Sequence, residues 1–176
     1  MHTLITQEEV SDGVARLAED VNQTYGNSPL TIVGVLTGSV VFLADMIRLL
    51  TMPLRVGVVQ ASSYRGATQR GPLVINSDLM PDIANQDVLV VDDIFDTGHT
   101  MEELLQLMEK LGPTSIRSAV LLHKTGQSQV NLQPDFVGFD IPNEFVVGYG
   151  LDYQDRYRNL PYVAVLDPED IDEDEK

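Results

Sequence analysis

The 176-residue sequence contains no cysteine and no tryptophan, and sets only 11 lysines and arginines against 27 aspartates and glutamates. Without cysteine there are no disulfides and no thiolate ligands for a metal. No apolar run approaches the ~20 residues needed to span a bilayer, so no membrane partner is expected. The opening residues, MHTLITQEEV, have neither a basic start nor a sustained apolar segment. No secretory signal is therefore expected, and the expected location is cytoplasmic. The shortage of basic residues leaves a formal net charge of −16. Nucleic-acid binding needs a basic surface to neutralise phosphates, so nucleic acid is not expected as a partner. If the ligand is itself anionic, a metal ion or local backbone donors must supply the positive field. The three histidines, His2, His99 and His123, show no metal-ligand spacing.

What is present suffices for a core. Hydrophobic residues make up 43% of the chain, and its length predicts one domain over residues 1–166. Residues 167–176, DPEDIDEDEK, carry seven acids and one lysine and read as a solvated acidic tail.

Residues 6–22 read as a helix, with Thr6 and Glu9 as a capping box and Val10, Val14, Leu17 and Val21 at helical spacing. YGNSP (25–29) is turn chemistry. TIVGVL (31–36) reads as a buried strand, TGS as a short loop, 40–50 as a helix and LRVGVVQAS (54–62) as a second strand. SSYRGATQRGP (62–72) is polar, glycine-interrupted and without apolar periodicity, which predicts a mobile loop. LVINSDL (73–79) resumes a strand, and VLVV (88–91) is another buried one. Met101, Leu104, Leu105, Met108 and Leu111 form a helical stripe that Gly112 and Pro113 stop. Strand signals return at 115–124, 135–141, 144–150 and 162–166. Strands that are apolar throughout, alternating with helices, imply a parallel sheet covered on both faces. The predicted fold is α/β, a doubly wound, mostly parallel sheet with helices on both faces.

VLVVDDIFDTGHT (88–100) asks for more than a structural purpose. Four apolar residues run into Asp92 and Asp93, then Asp96, then a glycine between polar residues. Ligands bind at the carboxyl ends of strands in such sheets. There, Thr97, Gly98, His99 and Thr100 offer backbone N–H groups at the positive end of the following helix, a seat for a phosphate. Aspartate is a preferred helix N-cap, which accounts for one of the acids and not for three. Carboxylates repel a phosphate unless they hold ribose hydroxyls, a magnesium ion or a proton in transit. A phosphorylated sugar with a metal satisfies all three.

This stretch resembles the phosphoribosyl-pyrophosphate signature of type I phosphoribosyltransferases, two acidic residues after a strand and then a D-T-G-x-T loop. GVLTGS (34–39), SSY (62–64), LLHK (121–124) and PDFVGFDIPNEFVVGYGLDYQDRYRNLPY (134–162) are, in order, similar to hypoxanthine-guanine phosphoribosyltransferases. The resemblance implies a small hood subdomain beside the main sheet and a homodimer or homotetramer. It also implies an enzyme of purine salvage that depends on Mg²⁺ and acts on small molecules. A 6-oxopurine base would displace pyrophosphate from 5-phosphoribosyl 1-pyrophosphate, giving IMP or GMP.

Site roles follow from the same resemblance. Asp92 and Asp93 would hold the ribose hydroxyls, directly or through metal-bound water. The loop Asp96, Thr97, Gly98, His99 and Thr100 would hold the 5′-phosphate, and Asp96 would accept the purine ring proton from N7. Thr37 and Gly38 belong to a pyrophosphate loop in which relatives often place a non-proline cis peptide just before position 37, and Arg158 would grip the pyrophosphate. Some relatives have lysine or arginine at position 37, whereas Thr37 supplies no side-chain charge. Lys124 would donate to the purine 6-oxygen, Phe145 would stack on the base and Val146 would offer backbone groups to its edge. Asp152 is implied at the base and, with Asp92 and Asp93, as a magnesium ligand. Ser63 and Tyr64 match a lid that closes over the reacting centre. Asp96 and Lys124 favour an enzyme over a regulator of the same fold. No residue separates hypoxanthine, guanine and xanthine.

Overall fold

The computed structural model of the chain describes residues 1–63, 73–167 and 169–170. In chain order the first elements are β1 (His2–Ile5), α1 (Gln7–Tyr25), β2 (Leu30–Leu36), α2 (Val40–Ile47), β3 (Leu54–Ser63) and β4 (Leu73–Asn76). There follow β5 (Asp87–Phe95), α3 (His99–Glu109), β6 (Ser115–Lys124), β7 (Phe136–Ile141), β8 (Val146–Val147) and β9 (Val163–Val165). The main sheet has six strands in the order β4-β3-β2-β5-β6-β7. All its pairings are parallel except that of the edge strand β4, which runs antiparallel to β3.

The central strands are buried on both faces, as their uninterrupted apolar runs require. One face packs on α1 and α2 through Val10, Val14, Leu17, Phe42 and Met46. The other packs on α3 through Met101, Leu104, Leu105 and Met108. Three short strands, ordered β1-β9-β8, form a separate antiparallel sheet, which is the hood.

Several boundaries differ from the sequence expectations for identifiable reasons. Thr6 caps α1 with the reciprocal Glu9 bonds, but the helix continues past residue 22 to Tyr25, which is buried beneath Arg117. Helix α2 ends at Ile47 rather than residue 50. Strand β5 does not stop at Val91. It carries Asp92, Asp93, Ile94 and Phe95 along β6, with Asp92 opposite Val120 and Ile94 opposite Leu122. The aspartates therefore lie within the strand's last turns of pleat rather than in the loop after it. Strand β1 has no counterpart among the sequence expectations. Among the described residues, no helix is long and apolar enough to cross a membrane.

The connections position the site. From β2 the chain passes through α2 to β3 on one side, and from β5 it passes through α3 to β6 on the other. The winding thus changes direction between β2 and β5. Their carboxyl ends splay apart into the crevice where α/β sheets take ligands.

Candidate active site

A cavity of about 310 Å³ opens at this switch point. Thr37 and Gly38 line it from the turn after β2, and Asp92, Asp93 and Asp96 line it from the end of β5. Thr97, Gly98 and Thr100 add the start of α3, and Asp152 and Arg158 lean in from the segment after β8. Residues from three separate stretches of sequence, 37–38, 92–100 and 152–158, therefore converge on one space.

The two adjacent aspartates are held by backbone. Asp92 accepts from the Asp93 amide at 2.9 Å, and Asp93 accepts from the Ile94 amide at 2.8 Å. Burial pushes the Asp92 carboxyl well above the usual carboxylate range, and the neighbouring Asp93 charge adds to that. Burial raises Asp93 as well, with the hydrogen bonds it receives and the Arg158 charge opposing the rise. A buried acid beside a partly buried one resists double ionisation until a cation or hydroxyl donors arrive.

The turn after β2 is shaped to let backbone come close. The Leu36–Thr37 peptide, which the sequence left open, is cis. A side chain on Gly38 would collide with the Asp93 carboxylate. A side chain on Gly150, whose φ is +102°, would collide with the Gly38 carbonyl. Glycine at both positions brings the turn, β5 and the hood segment into contact. From that segment, Arg158 donates to the Gly150 carbonyl at 2.8 Å and pairs with Asp152 at 2.8 Å. Asp152 also accepts from the Asp155 amide at 2.8 Å.

Gly98 is the N-cap of α3, in the left-handed conformation with φ 86°, and brings no side chain to occupy the first-turn amides. The turn is fixed from outside, where the Gln129 amide donates to the Thr97 carbonyl at 2.9 Å. The His99 ring faces Gln129, 3.1 Å from its side-chain oxygen, and does not line the cavity. Lys124 ends β6 with its ammonium 3.1 Å from Asp96. The lysine side chain is 11% exposed and the aspartate 45%.

The structure does not bring every expected residue onto this cavity wall. Lys124 reaches it only through Asp96, and Val146 is buried in β8. Phe145 stands 46% exposed at the hood, edge-on to Tyr153 with ring centroids 5.6 Å apart. Ser63 ends β3, while Tyr64 and the rest of the expected lid lie outside the described residues. Asp92, Asp93 and Asp152 share the cavity, yet among the described residues no group of three or more histidine, aspartate or glutamate side chains is placed to hold a metal ion. The contribution of Gln129 and Gly150 was missed, since a lone glutamine in a polar loop and one glycine among 13 carry no distinguishing pattern.

A doubly wound sheet with a glycine turn after β2, a glycine-capped helix after β5 and a cavity between them defines an α/β protein with a ligand crevice at its switch point. Residues 3–154 match the phosphoribosyl transferase domain family, and the chain belongs to that family. Among curated relatives it is 38% identical to the hypoxanthine-guanine phosphoribosyltransferase of Staphylococcus aureus, over 94% of this chain and 93% of that one. Among solved structures it resembles a Staphylococcus aureus hypoxanthine phosphoribosyltransferase with a TM-score of 0.90 at 37% identity, covering 96% of this chain and 92% of the other. It also resembles a Trypanosoma cruzi hypoxanthine phosphoribosyltransferase variant in a ternary substrates complex, with a TM-score of 0.88 at 35% identity and 97% of both chains covered.

Proposed function

We propose that the chain transfers the phosphoribosyl group of 5-phosphoribosyl 1-pyrophosphate to a 6-oxopurine, hypoxanthine or guanine, releasing pyrophosphate in a Mg²⁺-dependent purine-salvage reaction. The observation that carries this reading is the Lys124–Asp96 contact of 3.1 Å beside the phosphate turn. A donor-only cation next to a carboxylate suits a 6-oxopurine, which presents an acceptor oxygen and a ring N–H. Lys124 can donate to the 6-oxygen, and Asp96 can take the N7 proton as the base attacks the anomeric carbon. The carbon–pyrophosphate bond breaks as the carbon–nitrogen bond forms.

The remaining roles are those that the family resemblance implies. Asp92 and Asp93 orient the ribose hydroxyls, and the amides and hydroxyls of Thr97, Gly98, His99 and Thr100 receive the 5′-phosphate. The Thr37–Gly38 backbone and Arg158 hold the pyrophosphate. Phe145 covers the base, with the Val146 backbone at its edge. Ser63 and Tyr64 belong to a segment that excludes water when it closes.

Magnesium favours carboxylate and phosphate oxygens and is commonly bound through one or two carboxylates plus substrate phosphates, and the acids lining this cavity are of that kind. One or two of Asp92, Asp93 and Asp152 would hold the ion, and the raised proton affinity of Asp92 and Asp93 is what a bound cation would reverse. When bound, the ion neutralises charge on the leaving pyrophosphate. This reading includes a single catalytic domain over residues 1–166 with an acidic tail, a homodimer or homotetramer, a cytoplasmic location, and no nucleic-acid or membrane partner.

The test is a panel of bases incubated with 5-phosphoribosyl 1-pyrophosphate and magnesium, scored for nucleotide. Hypoxanthine or guanine should yield product, and turnover should vanish with excess chelator and return with magnesium. Turnover restricted to adenine, orotate or uracil would overturn the substrate class. Full turnover in chelator would overturn the metal dependence.

A further inference from the structure

We propose that His123, which does not line the cavity, is a positioning residue for the phosphate turn and acts through Phe95. The proposal rests on the reading that the turn at residues 96–100 receives a 5′-phosphate.

At the carboxyl end of the sheet, three neighbouring strands place Phe95, His123 and Asp140 side by side. His123 on β6 is opposite Phe95 on β5 and opposite Asp140 on β7. Its Nδ1 lies 2.7 Å from an Asp140 carboxylate oxygen, which fixes the plane of the ring. The ring then meets Phe95 edge-on, with centroids 5.6 Å apart and planes at 61°. Aromatic pairs favour this geometry. Phe95 is only 2% exposed, and its ring cannot move without displacing a neighbour.

The Phe95 ring also borders the turn. The space that a Gly98 side chain would fill is taken by the Phe95 ring and by a Val130 methyl group. Gly98 caps α3 in the left-handed conformation, so these two side chains crowd the residue from which the amides offered to a phosphate begin. The chain of contact runs from Asp140 to His123 to Phe95 to Gly98. Each link is a packed or hydrogen-bonded contact, and only the first residue is well exposed, its side chain at 68%. A helix N-terminus binds an anion well when its amides already point at one place, so a floor that stops Gly98 from sinking contributes directly to affinity.

Asp140→Ala is the informative variant, because this exposed side chain can be removed without opening the core. His123→Ala removes the ring itself, and Asp140→Asn keeps an acceptor for the imidazole. For each full-length protein the quantity to measure is the ratio of affinities for inosine 5′-monophosphate and inosine. That ratio isolates the phosphate from the base and sugar. The unmodified protein should favour the monophosphate strongly. Asp140→Ala and His123→Ala should shrink the ratio by about tenfold, the scale of one aromatic contact with its orienting hydrogen bond. Asp140→Asn should restore it. In turnover, KM for 5-phosphoribosyl 1-pyrophosphate should rise while KM for hypoxanthine stays within about twofold of the unmodified value.

If the unmodified protein shows no preference for the monophosphate, the reading of the phosphate turn fails. If it does show the preference and both alanine variants keep it, the positioning role of His123 is overturned. Equal weakening of both ligands, with a lowered Tm, would also overturn it, since that is the behaviour of a residue that only stabilises the fold.

Discussion

Asp92 sits where an unpaired carboxylate is costly, and its chemistry at the residue scale sets stability against function. Its pKa is raised by burial first and by Asp93 second. An acid whose folded-state pKa is raised binds more protons folded than unfolded, between its ordinary value near 3.8 and the raised one. Stability therefore falls as pH climbs through that window, and remains lowered above it. Asp92→Asn removes the charge while keeping an oxygen for the Asp93 amide. It should raise Tm at pH 7.5, by roughly 2–4 °C for each 1 kcal/mol relieved in a chain of this size. The gain should shrink towards pH 4, and turnover should be strongly reduced. Calorimetry at the two pH values checks this, and a lower Tm at pH 7.5 would show that the carboxylate is stabilising where it stands. Asp96 and Lys124 call for a different measurement. Asp96→Asn should lower kcat by about 10²–10⁴-fold with little change in affinity for 5-phosphoribosyl 1-pyrophosphate, as loss of a positioned base does. Lys124→Met should impair hypoxanthine use far more than adenine use. An ammonium facing the adenine amino group has nothing to donate to, and sites built on such partners reject analogues by ~10⁴–10⁵. Equal use of adenine and hypoxanthine by the unmodified protein would falsify the role of Lys124.

Among the elements, the contact between the β2–α2 turn and the hood segment holds the site together. Gly150 meets the Gly38 carbonyl, and both the contact and its φ of +102° exclude a side chain. Gly150→Ala should therefore cost more than about 1 kcal/mol and should raise KM for 5-phosphoribosyl 1-pyrophosphate. Gly112 is the useful contrast, with φ +74° but open space around it. Gly112→Ala should cost backbone strain alone and leave KM unchanged, so comparable KM effects in the two variants would refute a special role for the Gly38–Gly150 contact. This element scale is also where the sequence was least legible. The central strands announce themselves because burial on both faces makes them apolar throughout, and α3 because Met101, Leu104, Leu105 and Met108 share one face. Of the hood strands, β8 and β9 fall within the strand signals at 144–150 and 162–166, whereas β1, with four residues, is too short for any period to show and does not announce itself. Nor does the end of β5, where pairing with β6 continues after the apolar run has stopped at Val91. Asp92, Asp93 and the phosphate turn were legible from local pattern alone. Phe145 and Arg158 needed a family resemblance because their contacts, with Tyr153 and with Gly150 and Asp152, follow no period, and Lys124 because its contact joins residues far apart in sequence. Lys124 and Asp96 are 28 positions apart.

For the whole molecule, the net charge of −16 bears on how an anionic substrate reaches the cleft. Lys124 and Arg158 do not form an open positive funnel there, since the first is paired with Asp96 and the second with Asp152. Asp92 and Asp93 add further acid to the same cavity. A polyanion such as 5-phosphoribosyl 1-pyrophosphate should thus be repelled at long range and captured only at contact, where backbone amides take over. Repulsion of this kind is screened by salt, because the Debye length falls from about 30 Å at 0.01 M to about 8 Å at 0.15 M. With magnesium held saturating, KM for 5-phosphoribosyl 1-pyrophosphate should fall as ionic strength rises over that range. Repulsion slows encounter as steering speeds it, so the change should be at least about twofold. KM for hypoxanthine, which is neutral, should stay flat over the same range and serves as the control. Proteins that draw anions in with a basic surface show the opposite slope. A steep rise in KM for 5-phosphoribosyl 1-pyrophosphate with salt would mean that local cations, rather than the acidic surface, govern its approach.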